Sequence, residues 1–149
     1  HGELDATILA AAGLARLGIE FGSAGKLKGE GMPEGFLGSI LSVETMLPCV
    51  GQGALGIEVR ADDNRVEEIC ARLDDAETHY CVLAERAFLR GMGGGCQSPV
   101  GALAQLENGQ LALRAVSFQS GQTKTGEIKG TPAAAEELGR ELADRLRIG

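Results

Sequence analysis

Tryptophan is absent from the 149-residue sequence, and aromatic residues of all kinds make up only 3% of it. Aromatic rings are the surfaces on which bases and sugars stack, so a stacking platform for either is not expected. The net charge of -7 points the same way, because phosphate-binding surfaces need clustered lysine and arginine. We therefore expect no nucleic-acid partner.

Long apolar runs and a signal sequence are also missing. No run approaches the roughly twenty residues needed to cross a bilayer, so we expect no membrane partner. The chain starts at His1 rather than at methionine, and no basic start leads into an apolar stretch and a cleavage site. We interpret it as a piece of a longer, cytoplasmic protein.

Histidine is scarce, and the cysteines are widely spaced. The chain has two histidines and four cysteines, at positions 49, 70, 81 and 96, and no Cys-x-x-Cys pair. This spacing is a poor zinc signature, and we expect no metal site. An even number of cysteines permits disulfides, but a chain of this size without a secretory signal favours reduced thiols.

The first 61 residues have the pattern of incomplete α/β layers. Residues 3–10 alternate between polar and apolar and then become apolar, as a buried strand does. A short helix is predicted over 11–17, ended by Gly18. Dense glycines over 21–38 predict a long surface loop, either an insertion or a lid. A second glycine cluster precedes an apolar strand ending in Arg60, and the alternative interpretation is a bend between two domains.

Two helices are predicted after residue 61. In the first, an apolar stripe at helical spacing includes Cys70 and predicts that this cysteine is in the core. The second follows Asp74, which has Glu77 three residues later as in a capping box, and continues to about residue 90. Arg86 and Arg90 lie four residues apart on one face of this helix.

Strands dominate the rest of the chain. Two alternating strands flank an Asn-Gly pair at 108–109, the strongest short hairpin signal, and a third is predicted over about 122–129. Thr131 and Pro132 then begin a last helix with leucines along one side. The expected fold class is α+β, a three-stranded antiparallel sheet covered by helices on one face.

Cys96 is the main candidate for chemistry. Three glycines precede it and Ser98-Pro99 follow, so its thiol would lie on an adaptable loop with a fixed exit. The alternative is that Cys96 is a small apolar residue at the start of a strand. Arg86 and Arg90 would lower the thiol pKa or bind carboxylates, or else they complement the helix dipole and pair with glutamates.

Five motifs in a fixed order carry a family resemblance. They are residues 2–6 (GELDA), 11–18 (AAGLARLG), 50–60 (VGQGALGIEVR), 84–88 (AERAF) and 94–101 (GGCQSPVG). Together they resemble porphobilinogen deaminase, the hydroxymethylbilane synthase family, and they cover nearly the whole chain. The likeness is to the C-terminal half of that family, so it implies that the N-terminal half is not in this sequence.

The resemblance implies a covalent cofactor. In this family a cysteine in a Gly-Gly-Cys-Gln loop carries a dipyrromethane through a thioether, and Cys96 is the matching position. Arg16 matches an arginine at the carboxylates of substrate and cofactor, and Ala10 matches a backbone contact. Gln52 and Gly53 match a backbone approach to the cofactor. The chain departs from the family pattern just before this loop, where a glutamate is common and a glycine stands here.

The resemblance also implies a reaction and a domain plan. The family joins four porphobilinogen molecules head to tail with loss of ammonia, in tetrapyrrole and haem biosynthesis. Its catalytic aspartate lies in the missing half, so we expect no catalytic residue here and no turnover by this piece. Residues 1–45 would end a second, periplasmic-binding-protein-like α/β domain, 46–61 would return to the first domain, and 62–149 would form the cofactor-bearing domain.

Assembly and an alternative function complete the expectations. The parent enzyme is expected to be a monomer, whereas this piece is expected to self-associate through its incomplete sheets. The competing hypothesis is a non-enzymatic α+β module whose glycine loops bind a small anionic ligand. Under that hypothesis Cys96→Ser leaves ligand binding intact.

Overall fold

A computed structural model describes residues 4–95, 97–119 and 121–148. Cys96, the predicted attachment point, is outside the described residues, as are Gly2 and Glu3 of the first motif. The chain divides into two compact units, with the boundary between Met46 and Leu47. None of the described helices combines the length and apolarity needed to cross a membrane.

The first unit has little regular structure. Helix α1 spans Ala11–Arg16, and the chain turns at Gly18 with a φ of 70°, as predicted from the sequence. Two short antiparallel strands follow, β1 (Glu20–Phe21) and β2 (Leu27–Lys28), and they overlap the segment 21–38 predicted to be a loop. No described residue of this unit is buried.

The strand predicted over residues 3–10 is wrong for the residues described. Residues 4–10 form no strand, and all of them are exposed. The strand predicted to end at Arg60 is wrong for the same reason, since 54–60 are also outside any strand. A segment with alternating polar and apolar residues forms a strand only when its backbone N–H and C=O groups pair with those of a neighbouring strand. No described strand pairs with either segment.

The second unit begins with an irregular segment and helix α2, Asn64–Ala71. Its N-terminus is capped by Asp63, whose carboxylate accepts a 3.2 Å hydrogen bond from the Val66 N–H. The prediction that Cys70 lies in the core is wrong, because it is only partly buried and Ile69 is 51% exposed. No residue of α2 belongs to the core cluster, so its apolar stripe has no described packing partner there.

Helix α3 spans Ala76–Gly91 and begins one residue later than predicted. Asp75, not Asp74, is the N-cap, and its carboxylate accepts a 2.8 Å hydrogen bond from the Thr78 N–H. This hydrogen bond and one with the Thr78 side chain hold the Asp75 pKa below its ordinary value. One face of the helix is buried through Ala84, Ala87 and Phe88.

A three-stranded antiparallel sheet follows, in the order β3 (Val100–Glu107), β4 (Gln110–Ser117) and β5 (Lys124–Gly130). Asn108 and Gly109 form the predicted two-residue turn, with positive φ angles of 51° and 79°. The alternation places Ala104, Leu113 and Ile128 opposite one another on the buried face. The predicted α+β fold class is therefore confirmed.

Helix α4 covers this face together with α3. A 3₁₀ turn over Pro132–Ala134 leads into α4, Ala135–Ile148, which packs on α3 and β5. The helices approach closely at Gly139, where a Cβ would lie 2.7 Å from Ala87 Cβ and 2.8 Å from the Phe88 nitrogen. The core consists of residues from α3 and the position after it, the sheet and α4: Ala84, Phe88, Met92, Ala102, Ala104, Leu111, Leu113, Ala115, Ile128, Ala135, Leu138, Leu142, Ala143 and Leu146.

Candidate functional site

The glycine loop after α3 is anchored at its centre and open on both sides. The Gly94 N–H donates to the Leu89 carbonyl at 2.9 Å, and a Cβ at Gly94 would lie 2.7 Å from that oxygen. A Cβ at Gly93 or Gly95 would meet nothing within 4 Å. Gly94 is thus required by packing, while its neighbours leave space for a bulky group beside the loop.

Ser98 closes the outgoing side of the loop. Its hydroxyl accepts a 3.2 Å hydrogen bond from the Gly95 N–H, and its own N–H donates to the Gly95 carbonyl at 3.0 Å. These two contacts tie Ser98 to Gly95 before β3 begins. The proposed reactivity of Cys96 stays a prediction, because that residue is not among those described.

Two distant side chains hold the end of α3. Arg147 Nη1 donates to the Gly91 carbonyl at 3.2 Å, and Gln119 Nε2 donates to the Met92 carbonyl at 3.1 Å. The last carbonyls of a helix have no partner within the helix, so these donors stabilise the start of the loop. Sequence reasoning missed both residues, because no local pattern connects them with a helix 56 and 27 residues away.

Two of the arginines singled out in the sequence, Arg60 and Arg90, have acidic partners. Arg90 Nη2 lies 3.4 Å from Glu136 Oε1, which favours the interpretation in which it pairs with a glutamate. Arg60 Nη2 lies 2.8 Å from Asp63 Oδ2 and belongs to the start of α2. Arg86 is exposed on the surface of α3. The structure therefore gives no support to a pair of arginines acting on a thiol at position 96.

Gln52 and Gly53 lie on an exposed turn at the start of the second unit. The Gln52 N–H donates to the Cys49 carbonyl at 3.1 Å, and its side-chain Oε1 accepts from the Cys49 N–H at 3.3 Å. Gly51 and Gly53 have φ angles of 71° and 88°, and neither would carry a Cβ into a neighbour. The backbone of this turn is accessible to a ligand.

Glu85, on α3, holds this turn. Its side chain is buried, Oε2 accepts a 2.6 Å hydrogen bond from the Gly51 N–H, and Oε1 accepts a 2.8 Å bond from the Ala104 N–H. Burial raises the Glu85 pKa, and the two backbone hydrogen bonds partly oppose that shift. Sequence reasoning missed this residue, although a charge between the apolar residues Ala84 and Phe88 was an available signal.

Cys81 lies near the same edge of β3. Its pKa is raised, chiefly by burial and next by the charge of Glu85, while the Leu106 backbone opposes the shift. A thiol with a raised pKa is a weak nucleophile, so Cys81 is structural rather than reactive. Cys49, in the exposed turn, is the accessible thiol among the described cysteines.

Ala10 and Arg16 flank the short helix α1 in the first unit. Ala10 is the N-cap, and its carbonyl accepts a 2.9 Å hydrogen bond from the Gly13 N–H. Arg16 is the last helical residue and is exposed. The structure thus brings Ala10 and Arg16 to the two ends of one helix, and Gln52 and Gly53 to one turn.

The architecture of the second unit, a three-stranded antiparallel sheet with two covering helices, defines a small α+β domain. Comparison with protein families identifies it more closely. Residues 79–147 match the model described as porphobilinogen deaminase, C-terminal domain, and residues 1–68 match porphobilinogen deaminase, dipyromethane cofactor binding domain. The chain belongs to the porphobilinogen deaminase family, as the five motifs indicated.

Curated relatives agree with this assignment. The chain is 41% identical over 147 residues to porphobilinogen deaminase of Roseiflexus sp. (strain RS-1), and 43% identical over 154 aligned positions to that of Chlorobium phaeobacteroides (strain DSM 266 / SMG 266 / 2430). Each match covers 98% of this chain and 44% of the relative. The chain therefore spans less than half the length of the curated relatives it matches.

Proposed function

We propose that this chain is the C-terminal part of a hydroxymethylbilane synthase. The complete enzyme would join four porphobilinogen molecules head to tail, with release of ammonia, on a dipyrromethane primer held by a thioether at Cys96. Support comes from the two family matches, which follow one another in the expected order. The structural observation that carries the proposal is a loop anchored at Gly94 and open beside Gly93 and Gly95.

The residues of the loop fit a covalently attached group. A thioether needs a thiol on a segment whose neighbours leave room, and the glycines on both sides of Gly94 leave that room. When bound, the dipyrromethane would supply the pyrrole carbon to which the first substrate unit is joined. The residues of this chain would hold it: Cys96 through its sulfur, and Gln52 and Gly53 through their exposed turn.

Arg16 would bind carboxylates. Porphobilinogen and the dipyrromethane carry acetate and propionate groups, and a guanidinium binds a carboxylate through two parallel hydrogen bonds. Arg16 is exposed at the end of α1, and it lies with Ala10 in the stretch matched by the cofactor-binding model. We assign it to orientation of these groups rather than to proton transfer.

Turnover is not proposed for the isolated chain. The family's catalytic aspartate is in the N-terminal half, and this chain covers 44% of the relatives' length. Neither the family matches nor the structure favours the alternative of a non-enzymatic anion-binding module. Porphobilinogen is therefore proposed as substrate of the complete protein.

The attachment is tested on the complete protein by mass spectrometry after tryptic digestion. Cys96 lies in the peptide of residues 91–114, which should carry a dipyrromethane and give the colour reaction of α-free pyrroles with dimethylaminobenzaldehyde. Cys96→Ser should abolish both, whereas the control Cys49→Ser, at an exposed thiol, should retain them. An unmodified Cys96 in active wild-type protein would contradict the proposal.

We also propose that the 149-residue chain self-associates when produced alone. The first unit has no buried residue among those described, and Leu4, Leu9 and Leu17 are 81%, 62% and 73% exposed. Such apolar surface favours association, because burying it removes it from water. Light scattering over a range of concentrations should give a mass that rises with concentration, and a constant monomer mass would contradict the proposal.

A further inference from the structure

Glu85 is the one ionisable side chain buried in the part of the chain that the structure describes, with 6% of its surface exposed. A buried carboxylate is costly unless its oxygens accept hydrogen bonds. Its position in α3, between Ala84 and Phe88, would otherwise suit an apolar residue. A carboxylate at this position is therefore accounted for by the groups that its oxygens bind.

The two oxygens of Glu85 bind two different segments. Oε2 accepts from the Gly51 N–H at 2.6 Å, across 34 residues of sequence, and Oε1 accepts from the Ala104 N–H at 2.8 Å, across 19 residues. Both bonds are shorter than a typical N–H···O hydrogen bond, as expected where a carboxylate accepts from a backbone N–H. The side chain thus bridges the exposed turn of residues 49–53 and the middle of β3, from a helix that packs on both β3 and α4.

A backbone hydrogen bond next to the Glu85 contact on β3 shows which interaction Glu85 takes the place of. The Ala102 N–H, two residues earlier on the same edge, donates directly to the Pro48 carbonyl at 3.0 Å. The segment from residue 47 therefore begins to cover the edge strand by backbone pairing, and then turns away at Gly51. Glu85 fills the position at which that pairing stops, and it holds the turn at the same time.

We propose that Glu85 is a positioning residue, which fixes the turn carrying Gln52 and Gly53 relative to β3 and to the helix that leads into the cysteine loop. The consequence for catalysis rests on the function proposed above, in which that turn contacts the cofactor held at Cys96. Glu85 itself touches no substrate or cofactor in this proposal. It acts through the backbone of Gly51 and Ala104.

The structural part is tested by amide hydrogen exchange, measured by NMR on the whole 149-residue chain. In Glu85→Gln one oxygen remains an acceptor, but the NH₂ group faces either the Gly51 or the Ala104 N–H. At least one of these two amides should therefore exchange about ten- to a hundredfold faster. The control is Glu77→Gln, at an exposed position in the first turn of the same helix. Unchanged exchange of both the Gly51 and the Ala104 amides in folded Glu85→Gln would overturn the proposal.

A second measurement on the wild-type chain decides the matter if Glu85→Gln does not fold. A scalar coupling across the hydrogen bond between the Gly51 amide nitrogen and the Glu85 carboxyl carbon should be detectable, because that bond is short. Detection supports the bridge. Absence of the coupling, together with Gly51 exchange as fast as that of an unstructured peptide, overturns it.

The catalytic consequence is tested separately in the complete protein. Glu85→Gln should keep the pigment on Cys96 but lower kcat at least about tenfold, since the attachment is retained while the turn is displaced. Full kcat with a released Gly51 amide would overturn the link between the turn and catalysis. Wild-type protein without pigment would instead refute the proposed function, and amide exchange would still decide the role of Glu85.

Discussion

Replacing Gly139 with alanine should destabilise the second unit, because α3 and α4 touch through their backbones at this position. A Cβ there would lie 2.7 Å from Ala87 Cβ and 2.8 Å from the Phe88 nitrogen, and it would also overlap the Ala84 carbonyl oxygen. Two of these three atoms belong to the backbone of α3, and so they cannot rotate away. The helices must separate, which opens the contact between the residues on either side.

The magnitude follows from two opposing terms. Overpacking a close-packed interior costs about 1–3 kcal/mol, and the backbone contacts at Gly139 place it in the upper part of that range. Alanine in place of glycine within a helix returns about 1 kcal/mol. We therefore expect a net loss of about 2 kcal/mol in the free energy of unfolding. For a unit of this size that corresponds to a Tm lower by roughly 8–16 °C.

Urea and thermal unfolding of the 149-residue chain, followed by circular dichroism, measure this change. Gly13→Ala is the matched control, because Gly13 also lies inside a helix but a Cβ there would meet nothing within 4 Å. We expect the control to be neutral or slightly stabilising. A Gly139→Ala variant as stable as the wild type would refute the close helix contact on which the fold of the second unit depends.

Three further predictions concern a helix cap, the cysteines and the end of α3. Asp75→Ala should lower the urea midpoint at neutral pH. Because folding lowers the Asp75 pKa, the stabilisation that its carboxylate provides is present above the ordinary pKa of 3.8 and is lost as the pH falls through the folded pKa. The urea midpoints of wild type and variant should therefore converge in acid. Iodoacetamide at mildly alkaline pH should modify exposed Cys49 much faster than Cys81, whose pKa is raised, as peptide mapping would show. Gln119→Ala should accelerate amide exchange in the glycine loop, because the Met92 carbonyl loses its side-chain donor.

The C-terminal sheet was predictable from the sequence because its signals are local. Asn108 and Gly109 accept the positive φ angles of a two-residue hairpin turn, and this turn fixes the register of β3 on β4. Once the register is set, alternation decides which side chains face α3 and α4. The Thr131-Pro132 pair predicted a helix from Pro132; a 3₁₀ turn begins there, and the α-helix itself starts three residues later, at Ala135.

The errors concern segments whose structure depends on partners far along the chain or outside it. Residues 4–10 and 54–60 have strand-like sequences, but a strand forms only with a neighbour, and neither segment has one among the described strands. Helix α2 formed as its periodicity predicted, yet Ile69 is 51% exposed. Periodicity predicts which face of a helix is apolar, but it does not supply the surface that covers it.

The candidate site shows the same division between local and long-range information. Glycine spacing identified both the turn of residues 49–53 and the glycine loop after α3, because positive φ angles and close approach are properties of single residues. What joins the turns to the fold is not local: the carboxylate of Glu85 reaches Gly51, and the side chain of Gln119 reaches Met92. The glutamate of the motif at 84–88 is buried, and its two oxygens accept hydrogen bonds from two backbone N–H groups. A charged residue inside an apolar stripe is therefore best treated as a sign of backbone donors nearby. In this chain one of those donors, the Gly51 N–H, lies in a proposed cofactor-binding turn, and the other, the Ala104 N–H, lies in β3.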